Sequence, residues 1–375
     1  MSSTHISKGL DDVVVGTSEI SWVGGTTGDL VYRGFDVRSI VPGVPYESVV
    51  HLLVFGGPPR ADPSPEVVSA LRSAQAPTAS VERIVDALPG DLPPLEALRT
   101  ILSAMGDGSF GYPPTREEGF RLIAQTPVLL ARFVRRARGE EPVSPHAGLS
   151  HAANYLWMLT GEEPSDSHAR ALEGYLCLLA DHGMNASTFA LRVAVSTQSD
   201  LMSAATAALA TLKGPLHGGA PSRVSDMLDA IGSPENAERW IEERLAQRER
   251  LFGFGHRAYK TEDPRGVVLH RIAKSVADPR RFELAEAVER AALAALRRSR
   301  PEARLFTNVE YYSAVVLEAV GLSRSLFTPT FAVARTAGWT AHALEQAADN
   351  RLIRPEVEYV GPSKGRRWPR PVATA

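Results

Sequence analysis

The sequence has little of several features that mark particular classes of protein. It contains a single cysteine among 375 residues, so no disulfide can form within the chain. Cys177 lies in the apolar run 175–179, where we expect a small buried side chain and not a nucleophile. The formal charge is only −2, and no stripe of lysine and arginine interleaved with aromatic residues indicates nucleic-acid binding.

Long apolar runs are missing as well. No stretch approaches 18 uninterrupted apolar residues, the length of a membrane span, and residues 1–12 lack the apolar core of a signal peptide. We therefore expect a cytoplasmic protein without membrane contact. The basic segment 364–370 is the one charge run, and it is either a solvated terminus or a contact for a phosphorylated ligand or a partner subunit.

Helical patterns dominate what is present. Residues 13–35 alternate around a glycine-rich turn and predict a small β-hairpin. Helices are expected after the cap at 62–66, over 117–138, 166–180 and 186–212, from Ser233 through Arg250, and over 279–298 after Asp278. The nearly all-apolar segments 166–180 and 186–212 should be buried in a core or a subunit interface. A chain of this length predicts two or three domains, mainly α, with one small β element.

Two histidines stand in glycine-rich surroundings. His217 is flanked by Gly-Pro and Gly-Gly in 214–220, and His256 follows Gly253-Phe254-Gly255. Glycine lets another molecule approach the backbone closely. Glu310 sits in the apolar and aromatic segment 308–312. These three groups suit general acid–base chemistry if the fold brings them together, whereas each alone is equally explained as a turn or a hydrogen-bonded core residue.

Further polar side chains interrupt apolar segments. His182 lies between two long apolar helices, and Arg335 lies inside one, where an unpaired charge is costly. With Arg265 and Arg354 it would form a guanidinium cage for a small polyanion, or the three arginines make separate structural ion pairs. HExxH and CxxC are absent, so no metal site is expected, and neither GxGxxG after a strand nor GxSxG is present.

Several longer motifs resemble one family. They are ADHGMNAST (180–188), LKGPLHGGA (212–220), GFGHRAYKTEDPR (253–265), NVEYYS (308–313) and LFTPTFAVARTAGWTAH (326–342). Together they resemble the citrate synthase family, including the 2-methylcitrate synthases, almost from end to end.

The resemblance implies a citrate synthase-like helical fold of two domains. The large domain would comprise 1–218, with the N-terminal hairpin, and 323–375, with a C-terminal arm, and the small domain 219–322 would close over the substrates. It also implies a homodimer of the compact type, in which the two subunits share each active site.

The implied reaction is the condensation of an acyl-CoA with oxaloacetate, followed by thioester hydrolysis to citrate or 2-methylcitrate and CoA, as in the tricarboxylic acid cycle. The CoA thioester is a co-substrate, and no cofactor is bound permanently. By their match to the motifs, Glu310 takes the α-proton, His217 stabilises the enol oxygen and His256 protonates the ketone. A helix beginning near Pro221 would help keep His217 neutral. Matching binding residues are His182, His256, Arg265 and Arg335 for oxaloacetate, Arg354 from the other subunit, and Leu251, Gly253, Gly255 and Lys260 for CoA.

The sequence departs from the family at the base, which is an aspartate in Asn-Val-Asp but Glu310 here. A misplacement on the order of 1 Å can cost about a hundredfold in rate. Three explanations of Glu310 are open. The backbone has shifted to compensate, which leaves an ordinary synthase, or the pocket has been reshaped for another acyl-CoA and 2-oxo acid. Alternatively, condensation has been lost, which leaves a CoA- or dicarboxylate-binding protein. A citryl-CoA lyase is a further alternative. The retained histidines and arginines favour an active condensing enzyme, of undecided acyl chain.

Overall fold

Helices make up most of this computed structural model, which describes residues 6–10, 13–57, 62–218, 221–362 and 365. In the described part the α-helices are α1 (Val37–Ile40), α2 (Tyr46–Phe55), α3 (Pro65–Ala74), α4 (Ala79–Asp86), α5 (Pro94–Met105), α6 (Arg116–Ala137), α7 (His151–Thr160), α8 (Asp166–Leu179), α9 (Ala186–Ser196), α10 (Leu201–Leu212), α11 (Pro221–Ile231), α12 (Ala237–Ala246), α13 (Pro264–Val276), α14 (Pro279–Ser299), α15 (Val309–Ala319) and α16 (Phe327–Ala348). Single 3₁₀ turns are Lys8–Leu10, Pro234–Asn236 and Arg324–Leu326. The predicted mainly α fold is confirmed.

The predicted hairpin is present and carries an additional short strand. The strands β1 (Ser21–Gly24), β2 (Asp29–Tyr32) and β3 (Phe35–Asp36) form an antiparallel sheet in that order. Ser21 lies opposite Tyr32, and Gly24 opposite Asp29. The buried Tyr32 hydroxyl lies 3.0 Å from the carbonyl oxygens of both Leu178 and Asp181. The sheet is thereby fixed to the end of α8.

Two of the predicted helices have the wrong bounds. The segment 186–212 is divided between α9 and α10, because the Asp200 side chain accepts the Ser203 N–H at 2.9 Å and caps a new helix. The helix expected through Arg250 ends at Ala246, and Arg248 has a φ of +60°. Predicted helices over 117–138, 166–180 and 279–298 are confirmed within two residues as α6, α8 and α14.

The core surrounds α16, which packs against α2, α6, α8 and α9. Most of its residues from Phe327 to Ala343 are buried, including Trp339 at 0% exposure. Gly338 allows α16 to approach the end of α8, because a Cβ there would lie 2.4 Å from the Ala180 carbonyl oxygen. Cys177 is buried, as predicted. Among the described residues, every helix is too short or too polar to cross a bilayer.

Two chain segments support the region of the predicted site. Residues 253–255 pair with 306–308, through Gly255 N–H to the Phe306 oxygen at 2.7 Å and Asn308 N–H to the Gly253 oxygen at 2.9 Å. The following loop lies on the β1–β2 turn, where Lys260 N–H donates to the Gly25 oxygen at 2.7 Å. The predicted basic segment 364–370 lies outside the described residues except at 365, as do 219–220 of the glycine-rich motif.

Candidate active site

His217 lies in the turn between α10 and α11, and its ring meets the N-terminus of α9. The Ser187 backbone N–H donates to its Nε2 at 3.2 Å, and the Ser187 hydroxyl lies 2.9 Å from the same atom. Because an amide N–H only donates, Nε2 accepts and the ring proton resides on Nδ1. Burial, assisted by the charge of Arg335, lowers the pKa of His217 to about 4. A helix does begin at Pro221, but the helix that contacts the ring is α9.

His256 is held in the opposite tautomer. Its Nδ1 accepts the backbone N–H groups of Ala258 at 3.0 Å and Tyr259 at 3.2 Å. The proton of the neutral ring is therefore on Nε2. Burial, followed by the charge of Arg265, lowers the pKa of His256 to about 4. Both imidazoles are therefore neutral at physiological pH, and each has one N–H left to donate.

His182 joins His256 in a cluster of rings. Their ring centroids lie 5.3 Å apart in an edge-to-face arrangement, and His182 Nε2 lies 3.1 Å from the Tyr259 hydroxyl. Burial first, and then Arg265, lower the pKa of His182 well below its ordinary value. Tyr259 is 2% exposed and was missed by the sequence analysis, since its only signal was its place in the motif 253–265.

The Arg265 guanidinium forms an ion pair through two of its nitrogens and leaves the third without a hydrogen bond to any described residue. Its Nε and Nη2 donate to the two carboxylate oxygens of Asp263 at 3.0 and 2.8 Å, and both residues are nearly fully buried. The Asp263 carboxylate also accepts the Val309 N–H at 3.1 Å, at the start of α15. Within the described residues, Arg265 Nη1 has no hydrogen-bond partner. The bidentate pair therefore leaves one N–H edge available to an anion.

Arg335 has no carboxylate within ion-pair distance in the described ranges. Its Nε donates to the Leu179 carbonyl oxygen at 2.7 Å, and its Cζ lies 4.7 Å from the centre of the Phe331 ring. The buried Nη2 has no partner. Burial lowers the pKa of Arg335, and the nearby charge of Asp181 opposes this. An unsatisfied guanidinium N–H at 1% exposure is a place where an anionic oxygen would be stabilised.

Arg354 is exposed in the C-terminal segment, and among the described residues it makes no hydrogen bond or ion pair with the other predicted site residues. The four positions that match CoA-contacting residues differ in their exposure and backbone conformation. Leu251 is buried and Lys260 is exposed, while Gly253 has a φ of +86° and Gly255 of +82°. A Cβ on Gly253 would lie 2.6 Å from the Tyr311 ring, so packing alone already requires this glycine.

Glu310 is in the first turn of α15, whose N-terminus is capped by Asn308. The Asn308 Oδ1 accepts the Glu310 N–H at 3.0 Å. The Glu310 carboxylate itself accepts no hydrogen bond from any described residue. The side chain is partly exposed, yet the surrounding protein desolvates it, and this burial raises the pKa of Glu310 to about 7 against the opposing charges of Arg265 and Arg250. A carboxylate of this kind is a base suited to neutral pH.

The electrostatic contacts indicate one site. The charges of Arg265 and Arg335 lower the pKa of His182, and His256 and His217 are close enough to add to this effect when they are protonated. Arg265 is also the charge that most strongly opposes the raised pKa of Glu310. Six predicted residues are thus brought into one region by α8, α9, α13, α15, α16 and the loops between them: His182, His217, His256, Arg265, Glu310 and Arg335.

Tyr175, on α8, was not predicted as part of this region. Its side chain is fully buried, and its hydroxyl has no hydrogen-bond partner among the described residues. The charges of Arg335, Glu310 and Arg265 act on it. No local signal marked Tyr175, because it stands in an apolar run that is typical of a core helix.

A buried polar chain supports the turn that carries His182. The Asp181 carboxylate accepts the Gly183 N–H at 2.9 Å and the Ser21 hydroxyl, and its other oxygen lies 3.2 Å from His342 Nε2. His342 Nδ1 in turn accepts from Arg192 Nε at 3.0 Å. Burial would raise the pKa of Asp181, but His342 and then Arg335 hold it at about 2. His342 and Arg192 are 150 positions apart in sequence, so no local motif indicates the contact.

Across the described ranges, no group of three or more histidine, cysteine, aspartate or glutamate side chains is arranged to hold a metal ion.

Comparison with known proteins gives a consistent result. The family model described as citrate synthase, C-terminal domain, matches residues 9–356. The chain is 38% identical to a citrate synthase of Haloferax volcanii, covering 96% of this chain and 97% of the relative. It is 37% identical to a 2-methylcitrate synthase of Mycobacterium tuberculosis, covering 95% and 91%.

A solved structure matches the fold. It is the ternary complex of citrate synthase from Thermoplasma acidophilum with carboxymethyl coenzyme A and oxaloacetate, with a TM-score of 0.88, 30% identity, and coverage of 97% of this chain and 98% of that one. The chain therefore belongs to the citrate synthase family and is an acyl-CoA:oxaloacetate condensing enzyme.

Proposed function

We propose that Glu310, His217 and His256 carry out the condensation of an acyl-CoA with oxaloacetate in this protein. The observation that carries the proposal is the unpaired Glu310 carboxylate, with a pKa of about 7, near two neutral histidines of defined tautomer. The first step is removal of a proton from the carbon next to the thioester. Glu310 takes this proton, and the electron pair moves toward the thioester oxygen.

His217 stabilises the oxygen on which that charge develops. Its Nε2 is occupied by the Ser187 amide, so Nδ1–H is the donor that faces the substrate. Because the pKa of His217 is about 4, the ring is already neutral at pH 7, and its one remaining N–H is available for this hydrogen bond. Such preorganised donors commonly contribute about 10²–10³ in rate.

His256 acts on the second substrate. Its Nε2–H polarises the ketone of oxaloacetate and gives its proton to the alkoxide as the carbon–carbon bond forms. Water then hydrolyses the thioester to a carboxylate and the CoA thiol. The proton taken by Glu310 returns to the His256 ring through solvent, and the net proton is released by the new carboxylic acid. The free Nη1 of Arg265, the unsatisfied Nη2 of Arg335 and the ring of His182 bind the carboxylates of oxaloacetate. The proposal includes Arg354 of a second subunit, since this residue is exposed on its own chain.

The acyl-CoA would lie against residues 251–255 and Lys260, and closure of the small domain 219–322 over the large domain would complete its site. Glu310 in place of the family's aspartate is compatible with condensation, because its carboxylate is unpaired and basic. Relatives named for citrate and for 2-methylcitrate make acetyl- and propionyl-CoA the first substrates to compare.

Release of the CoA thiol tests this proposal. The purified protein is mixed with oxaloacetate and acetyl-, propionyl- or butyryl-CoA, together with Glu310→Gln, Glu310→Asp and the exposed control Glu302→Gln. We expect rapid release with one acyl-CoA, a loss of about a hundredfold or more in Glu310→Gln, and no change in Glu302→Gln. The value of kcat/KM should rise with pH through about 7 as Glu310 loses its proton.

Other outcomes separate the alternatives. Release in Glu310→Asp but not in the parent would show a site that is complete except for the position of the base, with a different native reaction. Binding of oxaloacetate without thiol release in any of these proteins would contradict a condensing role and leave a ligand-binding function.

A further inference from the structure

Glu289, in the middle of α14, contacts the chain on both sides of Glu310. Its Oε1 accepts the Thr307 hydroxyl at 2.5 Å, and its Oε2 accepts the Tyr312 hydroxyl at 2.5 Å. Hydroxyl–carboxylate bonds of this length are charge-assisted and stronger than bonds between neutral groups. One carboxylate therefore links a residue three positions before Glu310 to a residue two positions after it.

The hydrogen-bond partners of Glu289 are both hydroxyl groups. Within the described residues, no lysine, arginine or histidine forms an ion pair with it. Glu286, one turn earlier, pairs with His270 Nε2 at 3.1 Å. A partly buried carboxylate without a counter-ion is stabilised only by the hydrogen bonds it accepts. The Thr307 and Tyr312 hydroxyls donate these hydrogen bonds. They stabilise the Glu289 carboxylate, and the carboxylate in turn holds the segment around Glu310 in place.

The same helix contacts this segment a second time, through the Tyr311 hydroxyl, which donates to the Ala285 oxygen at 2.7 Å. On its other side the segment pairs with 253–255, which leads directly to His256. The backbone at Glu310 is therefore held between α14 and the loop of His256. Because no described residue hydrogen-bonds the Glu310 carboxylate, its location follows from where this backbone is held.

We infer that Glu289 is a positioning residue for Glu310: by binding Thr307 and Tyr312 together, it fixes the first turn of α15 and hence the place of the base. The inference rests on the proposed function of Glu310. A shift of the base on the order of 1 Å is expected to cost up to about a hundredfold in rate. Binding of oxaloacetate should be almost unaffected, because none of its proposed ligands hydrogen-bonds Glu289.

Glu289→Leu removes both acceptors. Glu286→Leu is the matched control, since it removes a carboxylate from the same helix that hydrogen-bonds His270 and no residue of 307–312. Tyr312→Phe and Thr307→Val each remove one of the two hydrogen bonds. Three quantities are measured: the affinity and stoichiometry of oxaloacetate binding by calorimetry, kcat per oxaloacetate-binding site, and the isotope effect on kcat/KM with the acyl-CoA deuterated at its α-carbon.

We expect Glu289→Leu to lower kcat per site by about tenfold or more, to raise the isotope effect because proton removal becomes slower, and to change the oxaloacetate Kd by less than about twofold. Tyr312→Phe and Thr307→Val should give smaller changes in the same direction, and Glu286→Leu none. Expressing the rate per binding site removes the contribution of misfolded protein.

Parent-like kcat and isotope effect in Glu289→Leu would overturn the inference. So would a fall in kcat with an unchanged isotope effect, or equal losses in Glu286→Leu. If Glu310→Gln keeps the parent rate, the assignment of the base fails whatever Glu289 does. If Glu310→Gln is inactive and Glu289→Leu is parent-like, only the positioning role fails.

Discussion

Two helices of this protein begin with the same tripeptide, Asp-Pro-Arg, and only one of them starts in the candidate active site. Asp263 caps α13 and Asp278 caps α14, each followed by proline at the first helical position. In both caps the aspartate accepts the backbone N–H of the residue two positions on, at 3.1 and 3.0 Å. The local geometry is similar, although Asp278 also accepts the Arg281 N–H at 3.1 Å.

The surroundings of the two caps differ. Asp263 and Arg265 are 1% and 3% exposed, and their side chains form a bidentate pair that also holds the first N–H of α15. Asp278 and Arg280 are exposed, and Arg280 makes no ion pair within the described residues. The tripeptide therefore determines where a helix begins. Burial determines whether the arginine side chain is fixed in an ion pair with the capping aspartate. The exposed copy is a natural control for the buried one.

Substitution of the two arginines, Arg265 and Arg280, is expected to give the largest difference in stability and activity. Arg265→Leu leaves Asp263 buried without its partner, so the free energy of unfolding should fall by about 3–5 kcal/mol, and thiol release should be lost with the oxaloacetate contact. Arg280→Leu should change stability by less than about 0.5 kcal/mol and leave activity intact. Urea denaturation and thiol release measure both, and equal effects in the two variants would contradict the comparison.

The pH dependence of stability should differ as well. Burial raises the pKa of Asp263, but the stronger effect of Arg265 lowers it below the ordinary value. A carboxyl with a lowered folded-state pKa stabilises the protein above its unfolded pKa of about 3.9, and this is lost as pH falls through the folded value.

Asp263→Asn should therefore be less stable than the parent by about 1.5–3 kcal/mol from pH 7 to 5, with the gap closing only below about pH 4. Asp278→Asn, an equivalent cap, should match the parent throughout that range. Urea titrations at a series of pH values test this, and a gap that closes near pH 6 would show that the Arg265 pair does not control Asp263.

The smallest change in stability is expected where only the helix cap is removed. Asp278→Ala removes the side-chain acceptor at an exposed helix start, so the free energy of unfolding should fall by about 1 kcal/mol with no change in thiol release. Subtracting this value from the loss in Asp263→Ala gives the contribution of the buried environment. A loss of activity in Asp278→Ala, measured at saturating substrates, would mean that the two caps are coupled.

Local signals explain how much of the fold could be predicted. Helices with a capping residue and strong periodicity, such as α6 and α14, were placed within two residues of their observed bounds. The break at 197–200 was missed because the flanking segments are equally apolar, although four polar residues separate them and Asp200 caps the second helix. The early end of α12 at Ala246 has no comparable signal, since charged residues continue beyond it.

In the site, the sequence indicated the reactive groups but not what holds them. The glycines around His217 and His256 marked both rings. The choice of tautomer depends on the Ser187 amide for one ring and on the backbone of 258–259 for the other, and only tertiary structure brings Ser187 to His217. Glu289 is equally invisible in sequence, because it occupies an ordinary position of a charged amphipathic helix.

The opposite tautomers of His217 and His256 affect whether the acyl-CoA thioester can react with either ring. A neutral imidazole beside an activated acyl group is a nucleophile, and its attack would give an acyl-imidazole that water cleaves. Here a backbone amide occupies the lone pair of each ring, on Nε2 of His217 and on Nδ1 of His256. In the proposed reaction neither ring can therefore be acylated, and the acyl-CoA is protected from wasteful hydrolysis until oxaloacetate is there to receive it.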